Sequence, residues 1–291
     1  MDSNQKSLEN KDWLYVINSK KPLLDFNFKE IWRYKDLLVL FVKRDIVTVY
    51  KQTILGPLWF LIQPLFTAVI FTLIFNNLAN FDTGVVPAIL FQMSGITAWN
   101  YFKECLTATS NTFTKNQNLF GKVYFPRVIL PISITVSNLL KFGIQIFILV
   151  MFYCFYLIKG VEVSPNLNLF LLPAYVMMMA LSGLGLGMVI SAFTTKYRDL
   201  TQLLTFSVQL LMYISAVPYQ LSEAEEKLGE YFWVMKYNPI AQIIEGFRYM
   251  TIDTGTFSWF GFFYAFAFSI LVFLIGLAVF NRTEKSFIDT V

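Results

Sequence analysis

Histidine is absent from this chain of 291 residues, and cysteine occurs only twice, at Cys105 and Cys154. Without histidine, the sequence excludes histidine-dependent acid–base catalysis, Ser–His and Cys–His nucleophile pairs, and most zinc sites. In the membrane topology that the loop charges favour, the two cysteines lie near opposite faces. A disulfide needs Cα atoms within about 7 Å, so we expect two unpaired cysteines.

A phosphate-binding loop of the pattern G-x-x-x-x-G-K-[ST] is absent as well, so an ATP-driven step would require a separate chain. The Gly183-Leu184-Gly185-Leu186-Gly187 run is similar to a dinucleotide-binding loop, but it lies inside an apolar run with no strand before it. Small residues at such spacing let membrane helices approach closely, and we predict that role. No catalytic residue, metal ligand or cofactor is predicted in this chain.

Charged residues make up only 14% of the chain, against about a quarter in ordinary soluble domains. Hydrophobic residues make up 56%, and the 19 residues from Pro57 to Phe75 hold no charge. At a rise of about 1.5 Å per residue, such a helix crosses the hydrocarbon core of a bilayer. The Gly56-Pro57 step before it allows a bend and a helix start. The sequence therefore predicts an all-α integral membrane protein.

Uncharged runs predict six transmembrane spans, at about 57–76, 85–102, 128–158, 170–193, 200–217 and 258–280. Lysine and arginine collect before the first span and in alternate loops. The positive-inside rule assigns that side to the cytoplasm. Six spans with both the N- and the C-terminus in the cytosol satisfy every loop.

The segment before the first span divides into two parts. Residues 1–27 are polar and mixed in charge, and we expect a cytosolic N-terminal arm. Over 28–53, apolar residues recur at helical spacing with charged residues between them. This pattern predicts an amphipathic helix in the membrane interface, anchored by Trp32, or alternatively a soluble helix packed on another protein. Residues 54–291 then form the six-span transmembrane domain.

Two loops are predicted to hold structure of their own. Asn111 to Gly121 is a polar cytosolic stretch suited to one or two helical turns that dock into another subunit. In the outer loop, Ser222-Glu223-Ala224-Glu225 matches a capping box with Ser222 as N-cap. Its helix is predicted to end near Tyr237, before Asn238-Pro239 and a second short helix. The two helices either cover an exit at the outer rim of the membrane or form a surface hairpin.

Lys141 is the one ionisable side chain deep within a predicted span. A charge there is costly unless it faces water or a partner, so Lys141 marks a functional position or else snorkels to an interface. Aromatic residues make up 18% of the chain. Trp59, Phe66, Phe206 and Tyr213 are candidates for a channel wall along which sugar rings slide, with ordinary packing as the alternative for each.

Four segments resemble landmarks of the polysaccharide-exporting ABC permeases, the Wzm-type O-antigen and teichoic-acid exporters of the ABC type 2 membrane family. They are YKQTILGPLW at 50–59 with Gln63-Pro64, KVYFPR at 122–127 with Pro131, Asn238-Pro239 with Arg248, and EKSFID at 284–289. The likeness is spread over residues 28 to 291, and the first segment is the most specific.

The resemblance implies a homodimer of six-span subunits with two copies of an ABC ATPase subunit, which binds ATP and Mg. It places ATPase coupling in the interface helix and in a coupling helix at 111–121. The residues that carry this assignment are Arg44, Asp45, Asn111, Lys115, Asn116, Gln117 and Phe120. It also implies periplasmic gate helices on either side of Asn238-Pro239, with Tyr219 beside them.

The substrate that the resemblance implies is a glycan on a polyprenyl pyrophosphate lipid. Lys43, Arg44 and Lys51 lie near the cytosolic mouth, where they would attract the pyrophosphate. The alternative for all three is that they only contribute to the positive charge on the cytosolic side of the membrane and bind no substrate.

Together these features favour the membrane subunit of an ATP-driven exporter of lipid-linked, O-antigen-like polysaccharide in the cytoplasmic (inner) membrane, surrounded by membrane lipid and without a nucleic-acid partner. The nearest alternative is a permease of the same superfamily for a drug or a lipid. A membrane enzyme, such as an acyltransferase or a lipid-linked glycosyltransferase, is disfavoured by the missing histidine and by the lack of an Asp-x-Asp pair. A passive channel or scaffold would need no ATPase.

Overall fold

The computed structural model describes residues 28–51, 56–120, 125–161, 167–197 and 199–288. Within those ranges the chain forms helices and turns without a strand, which confirms the all-α prediction. The predicted arm at 1–27 lies outside the described residues, and so do residues 52–55 of the first landmark and 122–124 of the second.

The amphipathic segment and the first span form separate helices. The amphipathic segment comprises α1 (Phe28–Arg33) and α2 (Lys35–Lys51). The first span begins with a 3₁₀ turn at Gly56–Leu58, continues as α3 (Trp59–Phe71) and ends in a π-helical turn at Thr72–Leu78. Gly56 has a φ of +51°, a conformation that favours glycine and suits the predicted change of direction.

The rest of the chain alternates long helices with short ones. The middle of the chain forms α4 (Ala88–Thr109), the single turns α5 (Thr112–Lys115) and α6 (Gln117–Phe120), α7 (Ile129–Ile158), α8 (Leu172–Thr194) and α9 (Leu200–Ile214). A 3₁₀ turn at Leu167–Leu171 precedes α8. The last part forms α10 (Leu221–Leu228), a 3₁₀ turn at Gly229–Phe232, α11 (Trp233–Lys236), α12 (Pro239–Ile252) and α13 (Trp259–Ile288).

Among the described residues, four helices are long and apolar enough to cross a membrane, at the first, third, fourth and sixth predicted spans. They are Trp59–Leu78, Ile129–Ile158, Asn168–Thr194 and Trp259–Thr283. At the second predicted span, α4 is long enough to cross a membrane, but most of its residues are buried by neighbouring helices. At the fifth, α9 is apolar but has only 15 residues, about 22 Å of helix against a hydrocarbon core of about 30 Å. For α4 and α9, membrane crossing stays a prediction.

α4 lies at the centre of the bundle, with 15 of its 22 residues buried. α8 packs against it through glycines: a Cβ at Gly183 would lie 2.8 Å from the Cβ of Cys105, and one at Gly187 would lie 2.6 Å from the Cβ of Thr109. Gly185 faces α13 instead, where a Cβ would lie 2.7 Å from the backbone of Val272. The glycine run is therefore a close-packing surface, as predicted.

The capping-box prediction in the outer loop is wrong. α10 begins at Leu221, with Gln220 in the N-cap position, and the Ser222 hydroxyl donates to Gln220 Oε1 at 3.3 Å. Leu221 is buried in an apolar cluster with Tyr219, and the helix starts two residues earlier than predicted. The prediction of one continuous helix to Tyr237 is wrong too, because Gly229 takes a φ of +53° and α10 stops at Leu228. A 3₁₀ turn and α11 continue the helical segment to Lys236, next to the predicted end.

Two predicted helix ends also differ from the structure. α4 runs to Thr109, seven residues beyond the predicted end at 102, and α13 runs to Ile288, eight residues beyond 280. Hydropathy marks where apolar sequence stops, whereas backbone hydrogen bonds continue a helix past the membrane boundary. Cys105 is buried, Cys154 is exposed, and both are free thiols.

Candidate functional site

The interface helix α2 packs on the first turns of α7 and on the residues just before them. The buried ring of Phe41 lies 5.7 Å from that of Phe125, between ring centroids. The Arg44 guanidinium lies 4.9 Å from the Phe41 ring centroid and pairs with Asp45 at 2.8 Å. The Arg44 and Asp45 side chains stay partly exposed, at 41% and 26%. Both predicted coupling residues of α2 are therefore accessible at the surface of the chain.

The predicted coupling segment folds into the two single turns α5 and α6. Asn111 and Asn116 each donate a side-chain hydrogen bond to the backbone carbonyl four residues earlier, at 3.0 and 2.9 Å. Their amides therefore shape the turns. Lys115 and Gln117 are exposed, whereas the side chain of Phe120 lies outside the described residues. Of the four predicted residues whose side chains the structure describes, Lys115 and Gln117 are the exposed ones.

Two contacts connect the coupling turns to the long helices. Phe113 is fully buried and stacks on Phe280 of α13, with ring centroids 4.5 Å apart. Thr194, at the end of α8, donates to the Ser110 carbonyl at 2.9 Å. Sequence analysis missed this role of Phe113, although it is the only apolar residue in the stretch from Asn111 to Asn118.

Lys43 and Lys51, the predicted pyrophosphate ligands, are both exposed on α2. They are eight positions apart, about 12 Å along the helix axis. The structure does not bring them together into one site, and each would act as a separate positive charge.

The four predicted channel residues form two exposed aromatic faces. Trp59 and Phe66 lie two turns apart on α3, and Phe206 and Tyr213 lie two turns apart on α9. Their exposed fractions are 49%, 67%, 60% and 42%. Packing inside the subunit therefore leaves these four side chains partly exposed.

The two faces meet at their outer ends in a group of rings that we call the outer aromatic cluster: Phe75, Phe81, Tyr213 and Tyr219. The centroids of Phe75 and Tyr213 are 6.5 Å apart, and Tyr219 stacks on Phe81 at 5.1 Å. The Tyr219 hydroxyl donates to the Tyr213 carbonyl at 2.5 Å. Burial raises the pKa of Tyr219 to about 12, which keeps this hydroxyl protonated. Tyr219, a predicted gate residue, thus connects the first span to the turn after α9.

Lys227 joins α10 to the same cluster. Its Nζ lies 3.5 Å from the Phe81 ring centroid and donates to the carbonyls of Ala79 and Asn80 at 3.1 and 3.3 Å. The ammonium therefore satisfies two loop carbonyls and one ring at once. Sequence analysis did not single out Lys227, because nothing local pairs a lysine with carbonyls almost 150 positions earlier.

Asn238 and Pro239, the other predicted gate residues, connect α12 to the end of α9. The Asn238 Oδ1 accepts from the Ile240 N–H at 3.0 Å, and Pro239 occupies the first helical position. The Asn238 Nδ2 donates to Ser215 Oγ at 3.0 Å and to the Ile214 carbonyl at 3.2 Å. One side chain thus caps α12 and binds the last carbonyl of α9 and the hydroxyl of the residue after it.

Arg248 of α12 is fully buried behind this turn. Its guanidinium donates to the carbonyls of Ala216 and Tyr219 at 2.9 and 3.1 Å, and also to the carbonyl of Val217. Glu245 lies 3.7 Å away, within ion-pair distance, and burial raises the pKa of its carboxyl. A cation against the carbonyls that follow a helix is favourable, and here it fixes residues 216–219.

Lys141, the predicted intramembrane charge, has a partner. Its Nζ lies 3.0 Å from Oε2 of Glu104 and 5.3 Å from the ring centroid of Phe60. Sequence analysis missed Glu104 because the predicted second span ended at 102. The sequence did offer a clue to this partner, since Glu104 is the only acidic residue between Asp82 and Glu162.

The sequence profile of the ABC-2 type transporters matches residues 36–252, well over half of the chain. The chain belongs to the ABC-2 type transporter family. It is 25% identical over 255 residues to the O-antigen export system permease protein RfbA of Klebsiella pneumoniae, covering 87% of this chain and 94% of that protein. It is 23% identical over 227 residues to RfbA of Myxococcus xanthus, covering 76% of this chain and 82% of that protein.

These similarities confirm the resemblance to polysaccharide-exporting permeases of the ABC-2 family. Membership of that family makes the chain an integral membrane transport subunit and implies pairing with an ABC ATPase. The match covers nearly all of the interface helix α2, the coupling turns and the helices α10 to α12, whereas α13 with Phe280 lies beyond it.

Proposed function

We propose that this ABC-2 permease is the six-span transmembrane subunit of an ATP-driven exporter of lipid-linked polysaccharide. The cargo would be an O-antigen-like glycan on polyprenyl pyrophosphate, moved from the cytosol across the cytoplasmic membrane. The observation that carries the proposal is the 25% identity over nearly the full length of a permease named for O-antigen export. The exposed aromatic faces of α3 and α9 support it, because flat rings suit weak, sequence-tolerant contact with a moving sugar chain.

In this proposal, two copies of the chain form a homodimer with the exposed faces of α3 and α9 around a shared axis. A continuous channel suits the cargo because a long polymer does not fit an occluded pocket. The side chains that would line it are Trp59, Phe66, Phe206 and Tyr213, all exposed on a single subunit.

Two ATPase subunits would bind α2 and the coupling turns from the cytosol. Closure of the ATPases on ATP would move the exposed Lys115 and Gln117. The stack of Phe113 on Phe280 and the hydrogen bond from Thr194 to Ser110 provide contacts through which that movement reaches α13 and α8. Both termini would be cytosolic.

On the outer side, α10 to α12 would act as the gate. Lys227, Asn238 and Arg248 each bridge a gate helix and the backbone beside the first or fifth predicted span. A shift of α3 or α9 would therefore pull directly on the gate helices.

Depletion of the chain in its own host tests the proposal. One assay measures glycan on the surface of intact cells, and the other measures lipid-linked glycan retained inside. Loss at the surface with accumulation inside is the expected result and identifies the polymer. Unchanged surface glycan would contradict the proposal and favour a drug or lipid permease.

A further inference from the structure

Lys141 and Glu104 form a partly exposed ion pair at the junction of three helices. Glu104 lies on α4, Lys141 on α7, and Phe60 of α3 lies beside the ammonium. The Lys141 and Glu104 side chains keep 23% and 37% of their surface exposed. The pair is therefore open on one side and is not sealed between the helices.

In the predicted topology, the pair lies towards the cytosolic end of the spans. Phe60 comes four residues after Gly56, where the first span begins. Glu104 comes five residues before the end of α4, about 8 Å along the helix. Lys141 is further from the start of α7, but Ile129 and Leu130 pack with Phe41 of the interface helix, so in the predicted topology the first turns of α7 precede the membrane. In that topology the pair lies in the inner half of the membrane, near the lipid head groups.

The surroundings of the pair combine apolar walls with a polar seam. Leu139 and Leu140 of α7 are exposed beside Lys141. One turn further into the bundle, the Asn100 amide donates to Gln145 Oε1 at 3.4 Å, again between α4 and α7. Lys141 lies within a predicted span, where an ionisable side chain is rare and by default has a function. Partly exposed ion pairs stabilise proteins little, so holding α4 to α7 is a weak reason for it.

We propose that Lys141 binds the phosphate of a lipid head group that approaches from the inner leaflet along Phe60, and that Glu104 holds the ammonium in place while the site is empty. Binding exchanges one charge-assisted pair for another, and a compact lysine ammonium suits phosphate as a point charge. The lipid chain would lie against the apolar walls. Identifying the lipid as the polyprenyl pyrophosphate of the cargo rests on the proposed function.

The test uses the purified full-length chain in lipid nanodiscs and measures binding of farnesyl pyrophosphate and of phosphatidylglycerol, with farnesol as the uncharged probe. Lys141→Gln is expected to lower phosphate-lipid affinity at least tenfold. Glu104→Gln is expected to raise it severalfold, because the competing carboxylate is gone. Lys159→Gln is the matched control, because Lys159 follows the last residue of the same helix and its Nζ lies 4.5 Å from the ring centroid of Phe155. This control is expected to leave phosphate-lipid affinity unchanged.

The opposite signs of the two single variants separate a binding site from a structural contact. If Lys141→Gln and Glu104→Gln change affinity alike, or leave it unchanged, the pair only joins α4 to α7 and the proposal is overturned. The double variant Lys141→Met with Glu104→Met removes both charges without leaving one unpaired. It is expected to purify as a folded chain that has lost phosphate-lipid binding, and wild-type binding by this variant would also overturn the proposal.

The two lipids distinguish the source of the phosphate. A clear preference for farnesyl pyrophosphate supports the cargo lipid, and equal binding of both supports a site for inner-leaflet phospholipid. Lipid binding is measured without glycan or ATPase, so failure of the glycan depletion assay would leave this result standing.

Discussion

The Arg248 guanidinium donates to the carbonyl of Ala216 at 2.9 Å and thereby holds the turn after α9 against α12. A Cβ at Gly95 of α4 would overlap that guanidinium, and its planar face lies 4.0 Å from the Phe91 ring centroid. The arginine is thus enclosed by α4, α12 and the turn. Any movement of α9 in transport has to carry this turn with it or break these hydrogen bonds.

Arg248→Lys is expected to destabilise the chain although it keeps the charge. A lysine ammonium cannot reproduce the planar fork that reaches three carbonyls, and each buried carbonyl left without a donor costs about 1–3 kcal/mol. Thermal unfolding of the detergent-purified variant measures the loss. Arg282→Lys, at an exposed position of α13, is the matched control. Equal unfolding temperatures for the two variants would contradict the assigned role of Arg248.

Gly185→Ala is expected to separate α8 from α13. The new Cβ would lie 2.7 Å from the Val272 backbone, and overpacking of this kind costs about 1–3 kcal/mol. Gly143→Ala on α7 is the control, because among the described residues a Cβ there meets open space. Alanine is also the better helix former, by up to about 1 kcal/mol. We expect opposite shifts in thermal unfolding, and a loss of stability in both variants would argue against the packing explanation.

The sequence allowed the helical fold and the family to be predicted because apolar runs and short motifs are local properties. The glycine run on α8 and the start of α12 at Pro239 followed from such local rules. The partners of Lys141 and Lys227 could not be predicted by local rules. The partner of Lys141 is 37 positions away in the sequence, and those of Lys227 are almost 150 positions away. Ser222 shows the converse: a local capping pattern was overridden when burial of Leu221 fixed the start of α10.

Lys227→Gln is expected to loosen the loop after the first span. The variant loses the cation over Phe81 and weakens the hydrogen bonds to the carbonyls of Ala79 and Asn80. Hydrogen exchange of the amides in residues 79–86 should speed up severalfold, because local opening becomes easier. Lys236→Gln on α11, another exposed lysine of the outer helices, is expected to leave exchange in this loop unchanged. Equal exchange in the two variants would show that Lys227 does not hold the loop.

Phe113→Ala is expected to uncouple the cytosolic turns from α13. Loss of a buried phenylalanine costs about 3–5 kcal/mol, and here it also removes the stack on Phe280. In the complex with the partner ATPase, we expect ATP hydrolysis to persist while export falls severalfold. Lys115→Ala, at an exposed position of the same turn, tests the surface contact instead and is expected to weaken ATPase binding. Normal export by Phe113→Ala would rule out this route of coupling.

Phe66→Ala tests whether the exposed face of α3 lines the path of the glycan. Phe147→Ala is closely matched, because Phe147 is 64% exposed on α7 and Phe66 is 67% exposed on α3. Each substitution removes one exposed phenyl ring, so a general effect of lost apolar surface would appear in both variants. If α3 lines the channel, Phe66→Ala lowers surface glycan severalfold. Phe147→Ala, on a helix outside the proposed channel, leaves surface glycan unchanged. Equal export by the two variants would indicate that α3 does not line the channel and that its aromatic face contacts lipid instead.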